Sequence, residues 1–202
     1  MTRRIFETIE LAIEQGRQLS QAEVFALRRR RGPDCVLTLR EGGRLPDAAF
    51  LTMTDTGPQY VSTDDVFRGK CVVLFGIPGA FNPTSHYFHL PGFLDYYDAL
   101  MARGVDTIAC TSVNDVFVFD EWAIISNARD KILFLSDGNG DFAESIGMKL
   151  NARPLGLGMR SVRYSMLVRN RTVEILNVEE DSSAAEISSA SVLLEAMNAT
   201  IN

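Results

Sequence analysis

The sequence predicts an α/β fold, with helices on both faces of a mixed central sheet and a helical extension at the N-terminus. Short apolar runs typical of strands alternate with helix-like segments from residue 36 onward. This alternation indicates a sheet that helices cover on both faces. Near the C-terminus, two strand-like runs, 163–169 and 172–178, follow one another with a turn at Asn170 between them. The hairpin that they form is what makes the predicted sheet mixed.

Residues 1–35 predict two helices and form the extension, whereas residues 36–202 form a single domain. Ser20 and Glu23 provide a capping box for the second helix. Four consecutive arginines at 28–31 lie near the end of that helix, where positive charge suits the helix dipole. Such a run can also bind nucleic acid or anionic lipid, but four residues are too few to predict a binding patch.

The strands of the domain are predicted from short apolar runs bounded by turn residues. The clearest is 71–77, a nearly continuous apolar run that is typical of a strand buried on both faces. The first two predicted strands, 36–39 and 49–53, are expected to pair with each other. The full set is 36–39, 49–53, 71–77, 105–110, 132–135, 163–169 and 172–178.

The helices of the domain are predicted from the residues that begin and end them. Thr63 begins a short helix that ends before Gly69, and Gly104 ends a long helix that begins at Thr84. The full set is 63–67, 84–102, 115–127, 141–147 and 188–198. Residues 181–189, which are rich in serine, alanine and acidic residues, are predicted to form a loop that leads into the last helix.

Composition excludes several classes of protein. The chain has 202 residues, no apolar stretch long enough to span a membrane and no signal-peptide pattern. Its three cysteines, Cys35, Cys71 and Cys110, have neither CxxC nor metal-site spacing, which argues against a disulfide scaffold or a zinc site. With only two histidines, no metal site and no cofactor are expected. We therefore expect a cytoplasmic globular protein.

The most informative stretch is 78–85, Pro-Gly-Ala-Phe-Asn-Pro-Thr-Ser, which connects the predicted buried strand to the long helix. A strand that breaks into a Pro/Gly turn and then a helix leaves backbone N–H groups without partners at the first helical turn. These groups lower the pKa of a cysteine placed there and stabilise its thiolate. The residue at that place is Ser85.

Segment 75–93, FGIPGAFNPTSHYFHLPGF, resembles the active-site loop of the peroxiredoxins. The branch that it resembles is the atypical type II, peroxiredoxin-five-like branch, which is linked to glutathione or glutaredoxin. That branch carries a Pro-Gly-Ala-Phe-Thr-Pro-x-Cys-type pattern followed by His-Leu-Pro-Gly-Phe. Further motifs of the family follow in order at 112–115, 135–140, 163–166 and 176–179. Because several independent motifs keep their order and approximate spacing, the resemblance is specific, and it implies the thioredoxin-like fold of the peroxiredoxin type.

The resemblance also implies a reaction, the thiol-dependent reduction of hydrogen peroxide and alkyl hydroperoxides. In the family a cysteine thiolate attacks the peroxide, with help from a proline, a threonine and an arginine. Carried over to this sequence, the proline is Pro78 and the arginine is Arg163, whereas Asn82 stands at the threonine position. Ser85 stands at the position of the peroxidatic cysteine. Because a serine hydroxyl is scarcely ionised at neutral pH and forms no sulfenic acid, the resemblance predicts an impaired or inactive enzyme.

Three alternatives are open. Cys110 lies 25 residues after Ser85, where some plant members of the branch carry a resolving cysteine, and either Cys110 or Cys35 could support a thiol peroxidase in another arrangement. A serine hydrolase could use Ser85 with one of the two histidines, although the Gly-x-Ser-x-Gly elbow is missing. The third is a binding module in which Arg163 and the helix N-terminus hold an anion or the carboxylate of a protein partner.

The resemblance implies partners as well. Type II peroxiredoxins pair through surfaces beside the active-site loop, so a homodimer is expected, with a hydroperoxide as substrate and glutathione or glutaredoxin as reductant. Phe81, Phe117 and Trp122 are the apolar residues expected at that surface, although each could equally belong to the core.

Overall fold

The computed structural model describes residues 39–199, and its strands form two sheets. The strands of the large sheet are β1 (Ala49–Thr54), β2 (Gly57–Ser62), β3 (Cys71–Ile77), β4 (Thr107–Ser112), β5 (Ile132–Ser136), β8 (Tyr164–Arg169) and β9 (Thr172–Val178). The small sheet consists of β6 (Lys149–Asn151) and β7 (Met159–Ser161). The predicted N-terminal extension, with the arginines at 28–31 and Cys35, lies outside the described residues.

The helices of the described part lie mainly between strands of the large sheet. They are α1 (Thr63–Phe67), α2 (Leu90–Asp95), α3 (Tyr97–Met101), α4 (Val116–Ile125), α5 (Asp141–Ser145) and α6 (Ala190–Ala199). A π-helical turn, Ser85–His89, comes directly before α2, and a short 3₁₀ turn, Arg153–Leu155, lies between β6 and β7.

The large sheet is mixed, as predicted, with the strand order β2-β1-β5-β4-β3-β8-β9. Strands β3, β4 and β5 run parallel to one another, whereas β1, β8 and β9 are antiparallel to their neighbours. Because parallel strands end at the same edge of a sheet, the loops that follow β3 and β4 lie next to each other. The active-site loop predicted from the sequence follows β3.

Two layers of apolar side chains cover the two faces of this sheet. Val73, Phe75 and Ile77 of β3 pack in one layer with residues of α2, α4 and α6. Val72 and Leu74 of the same strand belong to the other layer, which contains residues of β1, α1 and α5. The alternation follows from the two-residue period of a strand. It confirms the prediction that β3 is buried on both faces.

Gly76 interrupts this alternation for a steric reason. It lies opposite Tyr164 on β8, and a Cβ atom added to Gly76 would be 2.2 Å from the Cε1 atom of the tyrosine ring. Tyr164 is fully buried, so its ring cannot move away without disturbing the core. A glycine is therefore required where this ring crosses the strand.

The predicted pairing of strands 36–39 and 49–53 is not found among the described residues. Strand β1 pairs with β2 and β5, and Leu39 is in no strand; residues 36–38 lie outside the described part. Strand β2 was not predicted because its first two residues are Gly57 and Pro58, which usually mark a turn. A proline is tolerated here because β2 is an edge strand, where the missing N–H leaves no neighbour without a donor.

Most of the other predicted elements are confirmed, with shifted ends. The helix predicted at 84–102 is divided into the π-helical turn, α2 and α3, with a break at Tyr96. The strand predicted at 105–110 begins two residues later. The N–H of Asp106 donates to the carbonyl oxygen of Cys71 (2.8 Å), but the N–H of Cys71 donates to the Asp106 carboxylate (2.7 Å) and not to a backbone oxygen of that segment. The short strands β6 and β7 were missed, since three residues show no period.

Candidate active site

The turn between β3 and the following helix places Ser85 in the first helical turn. The side chain of Asn82 caps this helix, because its Oδ1 accepts a hydrogen bond from the N–H of Thr84 (3.2 Å). Pro83 is the first helical residue, a position at which a backbone N–H would have no partner within the helix, so its absence breaks no hydrogen bond. Phe81 has a left-handed backbone with φ of 60°, which allows the sharp turn. As a result, Ser85 points inward and its side chain is fully buried.

Arg163 approaches this turn from the neighbouring strand. Because Tyr164 pairs with Gly76, the preceding residue lies level with the end of β3. The Nη1 of Arg163 donates to the Oγ of Ser85 at 3.2 Å, although the two residues are 78 positions apart in the chain. Arg163 is itself fully buried. The structure thus brings two of the four predicted site residues into direct contact.

The arginine is held by a loop as well as by the helix. Its Nε donates to the carbonyl oxygen of Ser182 (3.1 Å), and its backbone N–H donates to the Ser182 hydroxyl (3.1 Å). Thr84 donates to the carbonyl oxygen of Ser183 at 2.7 Å, which joins the same loop to the first helical turn. The segment 181–189 therefore packs over the site, whereas the sequence predicted only a connecting loop there.

His89 is the third group around the guanidinium. Its Nδ1 lies 3.1 Å from Arg163 Nη1, which is always a donor, so Nδ1 must accept and Nε2 must carry the proton. Nε2 then donates to the carbonyl oxygen of Ser188 at 3.0 Å. Burial, together with the positive charge of Arg163, lowers the pKa of His89 to about 3. The imidazole is therefore neutral at physiological pH and orients Arg163 without adding charge.

Arg163 is positively charged at neutral pH although it is buried. Burial lowers its pKa to about 10, while the nearby carboxylate of Glu179 acts in the opposite direction. Glu179 is also buried, and its Oε1 accepts from the N–H (2.8 Å) and the hydroxyl (2.7 Å) of Ser188. The guanidinium is thus protonated at neutral pH. A buried positive charge next to a first helical turn stabilises an anion at position 85.

Pro78 and the rest of the turn are fixed from the loop after β4. Pro78 is buried, and the N–H of Ala80 donates to the Oδ1 of Asn114 at 2.8 Å. The hydroxyl of Ser112 donates to the same Oδ1 at 2.8 Å. The motif at 112–115, known in the sequence only as a matching pattern, therefore positions the active-site turn.

The amino-acid sequence is similar to a known protein family and to several of its members. The sequence model of the Redoxin family matches residues 40–194. The chain is 39% identical over 160 residues to the chloroplastic peroxiredoxin-2E of Arabidopsis thaliana, covering 77% of this chain and 68% of that one. It is 42% identical over 139 residues to peroxiredoxin-2C of Oryza sativa subsp. japonica, covering 69% of this chain and 85% of that one.

The chain belongs to the peroxiredoxin family. Solved structures agree: reduced Prx3 of Vibrio vulnificus in complex with H₂O₂ superposes with a TM-score of 0.75 at 41% identity, over 79% of this chain and 99% of that one. Peroxiredoxin 5 of Alvinella pompejana superposes with a TM-score of 0.70 at 30% identity, over 80% of this chain and 99% of that one. The thioredoxin-like fold predicted from the sequence is confirmed. The family reaction is the reduction of hydroperoxides by thiols.

The described cysteines of this peroxiredoxin lie away from solvent. Cys110 is fully buried in the middle of β4, and burial raises the pKa of its thiol well above the usual value. Cys71, at the start of β3, is also buried, and its thiol pKa is raised for the same reason. Thiols of this kind are mostly protonated and inert. The placement of Cys110 therefore gives no support to a resolving role.

The hydrolase alternative finds no support in the site. Within the described residues, the Oγ of Ser85 is hydrogen-bonded to Arg163 and to neither histidine. His89 Nδ1 faces the guanidinium, and His86 Nδ1 accepts from the Nε1–H of Trp122 at 3.0 Å. A serine nucleophile needs an imidazole acceptor for its own proton, and both Nδ1 atoms are engaged elsewhere.

The described residues offer neither a metal site nor a membrane-spanning helix. Between residues 39 and 199, no group of three His, Cys, Asp or Glu side chains is arranged to hold a metal ion. Over the same range, no helix is both long enough and apolar enough to cross a membrane.

The expected interface residues are divided between surface and core. Phe81 and Phe117 are 48% and 66% exposed, so both are available for contact. Trp122 is fully buried, where it stacks on Phe119 (ring centroids 5.9 Å apart) and binds His86. Trp122 is therefore a core residue, and its assignment to the surface was wrong.

Proposed function

We propose that this chain is a peroxiredoxin of the atypical type II, glutathione- or glutaredoxin-linked branch whose peroxidase activity is impaired or lost, because Ser85 occupies the peroxidatic position. One observation carries the proposal, the 3.2 Å hydrogen bond from buried Arg163 to the Ser85 hydroxyl in the first turn after β3. A thiolate at this place would be stabilised by the guanidinium.

The chemistry explains why the serine is disabling. The family reaction needs an anionic, polarizable sulfur that becomes a sulfenic acid, and an alcohol supplies neither property. Pro78 is assigned the role of shielding the reacting group, and Arg163 that of stabilising charge. Asn82 replaces the threonine that would accompany the peroxide oxygens, and its side-chain oxygen is already engaged in capping the helix.

Wild-type protein is expected to consume hydrogen peroxide no faster than buffer that contains the same reductant. The assay follows peroxide with glutathione and glutaredoxin, and separately with dithiothreitol, while mass spectrometry follows oxidation of the cysteines. Turnover like that of an ordinary peroxiredoxin would refute the proposal. If Cys110→Ala or Cys35→Ser then abolished that turnover, the chain would be a thiol peroxidase that uses another cysteine.

We also propose a homodimer that uses the surface around Phe81 and Phe117. Both are exposed aromatic side chains, and Phe81 belongs to the turn that precedes Ser85. Light scattering at tens of micromolar should give twice the chain mass of 22.4 kDa. Phe117→Asp should shift the mass toward that of the monomer, because a carboxylate is costly to bury. Phe117→Leu, which stays apolar, is the control; a monomeric wild type contradicts the proposal.

Two further assignments from the sequence are retained as proposals. We place residues 1–35 in a separate helical extension and 36–202 in the peroxiredoxin domain; limited proteolysis near residue 35 tests this boundary. We also propose a cytoplasmic location, which imaging of a fluorescent fusion tests; accumulation in an organelle would refute it.

A further inference from the structure

Trp122 and His86 are joined by a hydrogen bond that only a neutral imidazole can accept. The Nε1–H of Trp122 donates to the Nδ1 of His86 at 3.0 Å. An indole nitrogen is always a donor, so Nδ1 carries no proton and the proton of the neutral ring is on Nε2. A protonated imidazole has N–H groups at both positions. Protonation of His86 therefore breaks this hydrogen bond.

The two partners differ in their access to solvent. Trp122 is fully buried, whereas His86 is half-buried and lies in the π-helical turn, directly after Ser85. A proton from solvent can reach His86, while the indole N–H stays in the core. A buried donor without a partner is costly, so breaking the bond changes the environment of the indole.

Two aromatic rings lie beside His86 on the outer side. The centroid of its ring is 4.8 Å from that of Tyr87 and 6.3 Å from that of Phe81. Both of these residues are exposed, Tyr87 at 67% and Phe81 at 48%, and together they form the aromatic surface beside the active-site turn. An aromatic ring attracts a cation within about 6 Å of its centroid. The aromatic surface can therefore stabilise a protonated His86.

Within the described residues, no charged group is hydrogen-bonded to or ion-paired with the His86 side chain. The preceding segment, 78–84, has no ionisable side chain. His89, on the same turn, contacts Arg163 at 3.1 Å, and burial together with that positive charge lowers the pKa of His89 to about 3. The acidic residues of α4 are Asp120, which is ion-paired with an arginine (3.0 Å), and Glu121, which is exposed.

We propose that His86 and Trp122 form a pH-sensitive switch beside the active-site turn. When the imidazole is neutral, it accepts from the indole; when it is protonated, it leaves the indole and lies against the aromatic surface. The backbone N–H of His86 donates to the carbonyl oxygen of Asn82 (2.8 Å), so the change is confined to side chains. The switch depends neither on the proposed dimer nor on the proposed loss of peroxidase activity.

Trp122 is the only tryptophan of the chain, so its signals report on the switch directly. The full chain is titrated between about pH 8 and 5, the range in which an ordinary imidazole changes its charge. Tryptophan fluorescence and the indole N–H peak of a ¹H–¹⁵N spectrum are recorded. In wild type we expect a one-proton transition in both signals, because the indole loses its acceptor and gains a charged neighbour.

His86→Asn is the matched control for this titration. The side-chain oxygen of asparagine can accept from the indole, as Nδ1 does, but it does not titrate. The transition should therefore be absent in this variant. Wild-type signals that do not change over this pH range overturn the switch, as does a His86→Asn variant that keeps the wild-type transition.

Tyr87→Leu tests the role of the aromatic surface. Its transition should occur at lower pH than that of wild type, because the protonated imidazole loses an aromatic neighbour. Phe88→Leu is the control: Phe88 is 69% exposed and forms no aromatic pair with His86 within residues 39–199, so the midpoint should not move. An equal midpoint in Tyr87→Leu and wild type overturns this role. Peroxide turnover or a monomeric mass for wild type would refute the proposals above and leave this result unaffected.

Discussion

Ser85→Cys is expected to gain hydroperoxide reduction that the wild-type chain lacks. In wild type the Ser85 oxygen lies 3.2 Å from Nη1 of Arg163. The variant therefore places a sulfur next to a buried guanidinium that is protonated at neutral pH. We expect peroxide consumption at least about a hundredfold above the wild-type background, because loss of a catalytic nucleophile typically costs several orders of magnitude. A coupled assay with glutathione and glutaredoxin measures the rate.

The recovery should be partial and should improve with a second change. Asn82 lacks the threonine hydroxyl that the family places beside the peroxide, so Asn82→Thr in the Ser85→Cys background should raise the rate again. Threonine is also a good N-cap residue, so this change should preserve the start of the helix. Asn82→Ser supplies a hydroxyl and a cap without the methyl group and serves as the matched control. A Ser85→Cys variant that is folded and as inactive as wild type contradicts the assignment of the site.

Gly76→Ala is expected to be among the most destabilising single substitutions in the domain. The new Cβ would lie 2.2 to 2.8 Å from three atoms of the Tyr164 ring, which is fully buried. Overpacking of this kind costs about 1–3 kcal/mol, or more when the neighbour cannot move. Because Arg163 precedes Tyr164, displacement of the ring should also move the guanidinium away from Ser85.

Denaturant unfolding measures this effect, with Gly92→Ala as the matched control. Gly92 lies in α2, where an added Cβ meets no heavy atom within 4 Å. Alanine favours a helix over glycine by about 1 kcal/mol, so the control should be neutral or slightly stabilised. If Gly76→Ala unfolds at the same denaturant concentration as wild type, the close packing of β3 against Tyr164 is not as described.

The parts of the fold that the sequence predicted well are those with strong local signals. Strand β3 is a continuous apolar run, and the hairpin of β8 and β9 has a clear turn at Asn170, whose φ of 46° is left-handed. Strand β2 was missed because Pro58 is a local signal against a strand, and only its edge position makes it acceptable. Local patterns do not show where a strand will lie in a sheet.

The site was predicted through the resemblance rather than through local pattern. Ser85 and Arg163 are 78 residues apart, and only alignment with family motifs brought them together. The contacts of Ser182 and Ser188 were missed, because a polar loop has no period that points to buried partners. The hydrogen bond from Trp122 to His86 was missed for the same reason, since it joins two helical segments far apart in sequence.

The thiol pKa of the Ser85→Cys variant tests most directly whether position 85 is an anion-stabilising site. Absorbance at 240 nm, titrated with pH and compared with wild type, isolates the new thiol because the other three cysteines are common to both proteins. Burial raises a thiol pKa, whereas Arg163 and the first helical turn lower it. We expect the lowering by Arg163 and the helical turn to exceed the effect of burial, so that the thiol pKa lies clearly below the usual value of about 8.5. A pKa at or above that value would mean that Arg163 and the turn do not form an anion-stabilising site at position 85.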